Sequence, residues 1–219
     1  MTPLGDRPFT AIDKPVLLVP VGSCEQHGPH LPLATDTIIA EHLCSQVPDV
    51  LVTPSIGIAA SGEHAGFPGT LSIGNEALTR MLIELGRSAD WCAGIVFVNG
   101  HGGNTRAVSL AVSALRAESR RVAAWSPRVD GDAHAGRAET SIMLVIAPHL
   151  VDMGRAVAGN TSPLTEIIDE IHTSGVKGVS GNGVLGDPRD ATRETGEQLI
   201  AEMVADLRTV VEAHRSEWH

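Results

Sequence analysis

The chain has no tyrosine, and aromatic residues make up 3% of its 219 positions. So few rings leave little with which to stack nucleic-acid bases. Basic residues are scarce as well: 16 Lys and Arg against 26 Asp and Glu give a formal charge of −10. Binding a DNA or RNA backbone needs clustered cations, and Arg120-Arg121 is the densest basic spot. No apolar run approaches the roughly 18 to 20 residues that cross a bilayer, and the N-terminus lacks a basic, apolar, small-residue leader. Neither a membrane nor a nucleic acid is therefore expected as a partner. Cys24, Cys44 and Cys92 form no C-x-x-C pair, which favours reduced thiols and a cytoplasmic location over a disulfide framework. A low-complexity linker is also missing, so one domain over residues 1–219 is expected.

What the chain does have is histidine, ten in all and unevenly placed. Residues 22–37 gather Glu25, His27, His30 and Asp36 directly after an apolar run. Imidazole nitrogen with carboxylate oxygen suits zinc, iron or manganese, and a carboxylate has two oxygens with which to bridge two ions. The same letters suit a His- and Pro-rich surface loop whose Asp36 merely caps a helix starting at Thr37. This stretch by itself leaves both readings open.

Val16-Leu-Leu-Val-Pro-Val21 has the length and continuous apolar character of a strand buried on both faces. Further short strands are expected through Val50-Leu-Val-Thr53, Gly94-Ile-Val-Phe-Val98 and Arg121-Val-Ala-Ala-Trp-Ser126. Helical spacing follows each of them: from Thr37 to Pro48, from Asn75 as N-cap to about Arg87, and from Thr105, capped by Asn104, to about Glu118. Later helical patterns cover Ile142 to Ile146, Leu164 to Ile171 and Ala191 to about His214, the last with an apolar stripe suited to core or subunit contact. Strands alternating with helices predict an α/β fold, a three-layer sandwich around a mainly parallel sheet.

Two further polar clusters follow predicted strands. Asn99-Gly-His-Gly-Gly-Asn104 lies where ligands collect in open α/β sheets, and it lacks both the G-x-G-x-x-G and the G-K-[ST] spacing of phosphate cradles. A ligand turn presenting His101 is the better reading. After the acidic turn at 129–132 come His134 and Glu139, five apart and so about 140° around a helix. They can converge only if His134 lies on the loop entering the helix, and a glutamate in a first turn is also what the helix dipole favours. The glycine-rich connection 57–74 carries Glu63 and His64, which either face a pocket or stand in solvent. Cys24 and Trp125 are weaker candidates for the same pocket.

With these motifs in view, the chain resembles the creatininase family of metal-dependent amidohydrolases. The resemblance rests on Gly22-Ser-Cys-Glu-Gln-His-Gly-Pro-His-Leu-Pro32 with Asp36, Phe67-Pro-Gly-Thr70, Asn99 to Asn104, His134-Ala-Gly136 with Glu139-Thr-Ser141, and Gly186-Asp-Pro188 before Ala191-Thr192, all in the family's order. It implies a centre of two divalent metal ions, zinc or iron or manganese, held by Glu25, His27, Asp36, His101 and Glu139 with Asp36 as the bridge. It also implies His134 as the acid/base histidine, His30 as a neighbour of the ligands, and a homo-oligomer, commonly a hexamer. Creatininase itself has a carboxylate two residues after the turn histidine, where this chain has Gly103.

That departure points away from creatinine. Gly159-Asn-Thr-Ser-Pro163 and Asn182-Gly-Val-Leu-Gly-Asp-Pro188 resemble a peptidase branch of the family. The implied substrate is a small modified precursor peptide, cut near its C-terminus to release a Val-Tyr-derived dipeptide. The competing substrates are a small cyclic amide and a formamidopyrimidine nucleotide. For the nucleotide's phosphate the chain offers Arg106, Arg128 and Arg137 without an anion-binding motif. A metal-binding subunit without catalysis is the reading from another class, and the intact set of candidate ligands with His134 argues against it.

Overall fold

The computed structural model describes residues 3–128 and 131–218; Val129 and Asp130 of the expected acidic turn lie outside them. Four strands, β1 (Val16–Val21), β2 (Val50–Val52), β3 (Gly94–Asn99) and β4 (Val122–Trp125), form one sheet in the order β2-β1-β3-β4. Every pairing is parallel, with Val16 opposite both Val50 and Gly94 and Ile95 opposite Val122. Parallel neighbours require crossovers, and the helices supply them. The helices are α1 (Thr35–Ser45), α2 (Gly74–Ser88), α3 (Thr105–Ala117), α4 (Arg137–Ile146), α5 (Leu164–Val179) and α6 (Arg193–Trp218).

The unbroken apolar run of β1 is explained by its position between two cores. Val16 and Leu18 point into one core, shared with Leu43 of α1, Met143 of α4 and Leu207 of α6. Leu17, Val19 and Val21 point into the other, shared with Leu78 and Leu82 of α2 and Leu115 of α3. The result is the expected three-layer α/β sandwich. Trp125 belongs to the first core, where its indole N–H donates to Asp206 at 2.7 Å. This packing and hydrogen bond account for its burial.

Several boundaries differ from expectation, for physical reasons that bear on the site. Helix α1 starts at Thr35, which puts Asp36 inside the first turn with no side-chain capping bond. Asn104 does not cap α3 either. Its amide instead donates to the Gly22 and Asn99 oxygens, and its carbonyl accepts the Ala60 N–H, tying three loops together. Helix α2 begins at Gly74 without the expected Asn75 cap. Helix α5 runs beyond Ile171 through a break at Gly175, whose φ of 70° suits glycine.

The loop after β1 is pinned to α4 by His30, which lies 2.9 Å from the Thr140 hydroxyl and is 2% exposed. Burial, helped by positive charge at His27, lowers the His30 pKa to about 4. An unfolded histidine titrates near 6.5. The folded chain therefore favours neutral His30, a contribution fully present above about pH 6.5 and lost as pH falls toward about 4. Replacing His30 by Asn should make the loss of stability between pH about 7 and about 4.5 smaller by on the order of 2 kcal/mol, as read from paired urea unfolding curves.

Candidate metal centre

The sheet's carboxyl-terminal edge is where the polar clusters meet, as expected for an open parallel sheet. β1 delivers Glu25 and His27, the start of α1 delivers Asp36, β3 delivers His101, and the segment after β4 delivers His134 and Glu139. The loop after β1 folds back on itself, with Glu25 N–H donating to Leu33 O at 3.0 Å and Gly28 in a left-handed φ of 66°. Ser23 then holds both ends of the loop–helix junction: its N–H donates to the Thr37 hydroxyl, and its own hydroxyl donates to Asp36 Oδ2 at 2.8 Å.

Asp36 stands between the two ligand-type histidines. Its Oδ1 lies 3.0 Å from His27 Nε2 and its Oδ2 lies 3.2 Å from His101 Nδ1. The opposite nitrogen of each ring is occupied by a main-chain carbonyl. His27 Nδ1 is 3.1 Å from Glu25 O, and His101 Nε2 is 3.0 Å from Ala60 O. A carbonyl can only accept, so each of those nitrogens carries a proton and the nitrogen facing Asp36 is the one free to bind a metal. Both carboxylate oxygens thus point at a potential ligand nitrogen, the disposition a bridging carboxylate needs. Glu139 Oε2 lies 3.9 Å from His27 Nε2, and the same oxygen accepts the Ala135 N–H at 2.6 Å. The helix-start reading of Glu139 and its proximity to the cluster are therefore both real.

Glu25 supplies the sharpest test of fit. It is fully buried, and among the described residues neither carboxylate oxygen has a hydrogen-bond partner of good geometry, although His101 Nε2 and His64 Nε2 lie 3.1 and 3.4 Å away. A buried carboxylate without donors is costly unless a cation accompanies it. Among the described residues, three groups each bring their candidate ligand atoms within 4.8 Å of one another: Glu25–His27–Asp36, His27–His134–Glu139 and Glu25–His64–His134. His101 joins through its separate approaches to Asp36 and, at 3.1 Å, to Glu25 Oε2. The residues present suit divalent cations with nitrogen and oxygen ligands.

Protonation follows the same geometry. Burial alone would keep His27 neutral, but Asp36 beside it raises its pKa to about 9. His101 is likewise raised well above the usual value against burial, by Asp36 and Glu25. Asp36 in turn is held well below the usual carboxylate range by His27 and His101, again against burial. Protons on these rings hold the place of positive charge, and metal binding displaces such protons. Burial raises Glu139 and drives His134 well below its ordinary value, the latter assisted by positive charge on His27.

His134 lies on the loop ahead of α4, as convergence with Glu139 requires. An antiparallel bridge to Leu185 fixes it, with Leu185 N–H donating to His134 O at 2.9 Å. The following Ala135 has a left-handed φ of 51°, a strained conformation of the kind that accumulates beside functional groups. The glycine-rich connection also reaches the site: His64 is buried with Nε2 3.4 Å from Glu25 Oε1, and Glu63 Oε1 is 3.2 Å from His101 Nε2. Glu63 and Glu139, each with 26% of the side chain exposed, mark the open side of the cluster. His30 stays outside the three ligand groups, and Cys24 Sγ faces Gly69 O at 3.7 Å. Gln26, absent from the candidates drawn from the sequence, lies among His64, His134 and Gly183.

A family profile described as creatininase, creatinine amidohydrolase, matches residues 9–211. The mycofactocin precursor peptide peptidase of Mycolicibacterium smegmatis is 52% identical over 202 residues, covering 87% of this chain and 81% of that protein. A mutant creatininase of Zn–Zn type has a TM-score of 0.78 at 26% identity, with 99% of this chain and 98% of that chain covered. A manganese creatininase gives 0.76 at 25% identity, with the same coverage. The fold, the buried carboxylate–histidine cluster and a match over nearly the whole chain lead to one assignment: this chain belongs to the creatininase family of metal-dependent amidohydrolases.

Proposed function

We propose that this chain is a two-metal peptidase that cleaves the modified mycofactocin precursor peptide near its C-terminus, releasing the Val-Tyr-derived dipeptide. The observation that carries the two-metal part is Asp36, with one oxygen toward His27 Nε2 and the other toward His101 Nδ1. The peptidase part rests on the relative that is 52% identical over 202 aligned residues. Glu25 and His101 would complete one side of the centre and Glu139 with His27 the other. Zinc, iron and manganese all suit this donor set. The resemblance and the free cysteines support a cytoplasmic homo-oligomer, with a hexamer as the expected size.

A pair of divalent cations lowers the pKa of water and polarises an amide carbonyl. The chain's own residues do the rest. His134 Nε2 donates to Gln26 O at 2.8 Å, which leaves Nδ1 as a base on the side of Glu25. From there it accepts a proton and returns it to the leaving nitrogen, a transfer that needs hydrogen-bond reach. Low basicity in this buried position keeps the ring neutral and ready to accept. The open side between Glu63 and Glu139 gives an extended peptide an approach.

Metal content per chain and hydrolysis of the modified precursor test the assignment together. Glu25→Ala should lose bound metal and activity, and full metal and full rate in that variant would remove the dinuclear reading. His134→Ala should keep its metal while the rate falls about 10²- to 10⁴-fold; an undiminished rate would end its role in proton transfer. Formate release from a formamidopyrimidine nucleotide, with no cleavage of the precursor, would replace the peptide substrate by the nucleotide.

A further inference from the structure

Gln26 sits between two metal-centre residues in sequence and contacts two further buried histidines, His64 and His134. The orientation of its amide is fixed by the main chain. Its Oε1 accepts the Gly28 N–H at 2.8 Å, and its Nε2 donates to Gly183 O at 3.0 Å. Gly183 has a φ of 82°, and a Cβ there would overlap the Gln26 amide, so the close approach requires glycine. The amide nitrogen has two protons. One is committed to Gly183, and the other has two nitrogens within reach, His64 Nδ1 at 2.9 Å and His134 Nε2 at 3.1 Å.

Only one of these can accept it. His134 Nε2 also lies 2.8 Å from the main-chain oxygen of Gln26, which cannot donate. That nitrogen therefore carries the ring proton and is unavailable as an acceptor. The second amide proton goes to His64 Nδ1, which must be unprotonated, and the His64 proton resides on Nε2. The two amide protons of Gln26 and the ring proton of His134 then each have one acceptor. The two rings consequently face Glu25 in opposite ways. His64 presents an N–H toward Glu25 Oε1 at 3.4 Å, and His134 presents a lone pair on Nδ1, 3.8 Å from the same oxygen.

We propose that Gln26 is a positioning residue that fixes His64 and His134 in the same Nε2-protonated tautomer but with opposite ring edges toward Glu25, so that a hydrogen-bond donor and an acceptor flank the same edge of the metal centre. Its side chain sets His64 and its main-chain carbonyl sets His134. Amide hydrolysis uses both: an acceptor for the proton moved during attack, and a donor for negative charge developing on the scissile carbonyl oxygen. This role rests on the hydrolase reading above, but the tautomers can be measured without any substrate.

The decisive variant is Gln26→Glu, which keeps the shape and the acceptor for Gly28 while removing both amide protons. A carboxylate can only accept, so His64 should transfer its proton to Nδ1. Two-bond proton–nitrogen correlation spectra of histidine-labelled protein, metal-free and zinc-loaded, should show wild-type His64 protonated on Nε2 and the variant protonated on Nδ1. The kcat should fall about 10- to 100-fold with little change in KM, as for other residues that orient metal-centre groups. Gln26→Leu, checked for native circular dichroism and metal content, should lose the single His64 tautomer and show a similar fall in kcat. An unchanged His64 tautomer in Gln26→Glu, or a wild-type His64 protonated on Nδ1, overturns the proposal. So does a loss of activity explained by lost metal with both tautomers intact. Wild-type protein that shows the expected tautomers yet leaves the precursor peptide uncut would refute the substrate assignment and leave the positioning role standing.

Discussion

Two buried carboxylates at the open end of a parallel sheet set the terms for the rest of this molecule. Glu25 is fully buried, Asp36 is 3% exposed, and both lie within 4.8 Å of His27 through single ligand atoms. Like charges held together away from water demand positive charge between them. The imidazoles answer part of that demand through protonated His27 and His101, while unpartnered Glu25 keeps the rest open for a cation. The surrounding structure is arranged to hold this tension in place. Main-chain carbonyls fix both rings, Ser23 fixes Asp36, and Asn104 ties the β1 and β3 ends to the connection that carries His64.

The scaffold was legible in the sequence because its signals are local. The run Val16–Val21 is apolar throughout since alternate residues fill two different cores, and that pattern identifies a doubly covered parallel strand without knowledge of its neighbours. His101 was legible for a related reason: a glycine-flanked histidine directly after a buried strand has little other use. Glu25, His27 and Asp36 were ambiguous by themselves, and Asp36 was equally readable as a helix cap. The structure separates the two uses, since Asp36 makes no capping bond and faces two histidines.

What could not be read from the chain depends on long-range closure. Glu63 and His64 join the site because their connection is stitched back to the β1 loop, with Leu71 N–H donating to Cys24 O at 2.8 Å. Gln26 escaped notice since glutamine carries no charge and ligates few metals, and its meaning lies in partners 38, 108 and 157 residues away. Its proximity in sequence to Glu25 and His27, with Gly183 in a glycine-rich loop, was the available signal. Trp125 is held by a long-range bond as well. Its indole N–H reaches Asp206 on α6, 81 residues away, and its ring packs in the core.

Gly103 is where this chain departs from the creatininase pattern, and the geometry around it gives the departure a physical content. A Cβ at this position would overlap Glu63 Oε1 and crowd His101 Nε2 and Ala60 O. The space beyond the turn histidine is therefore already taken by a carboxylate, delivered by the 57–74 connection instead of by the turn. A side chain at 103 and Glu63 in its present position exclude each other. With glycine at 103, the side of His101 is shaped by a loop that also carries His64, so substrate approach and the donor histidine are governed by one segment. Glycine at 103 and the acidic side chain of Glu63 thus form one arrangement around His101.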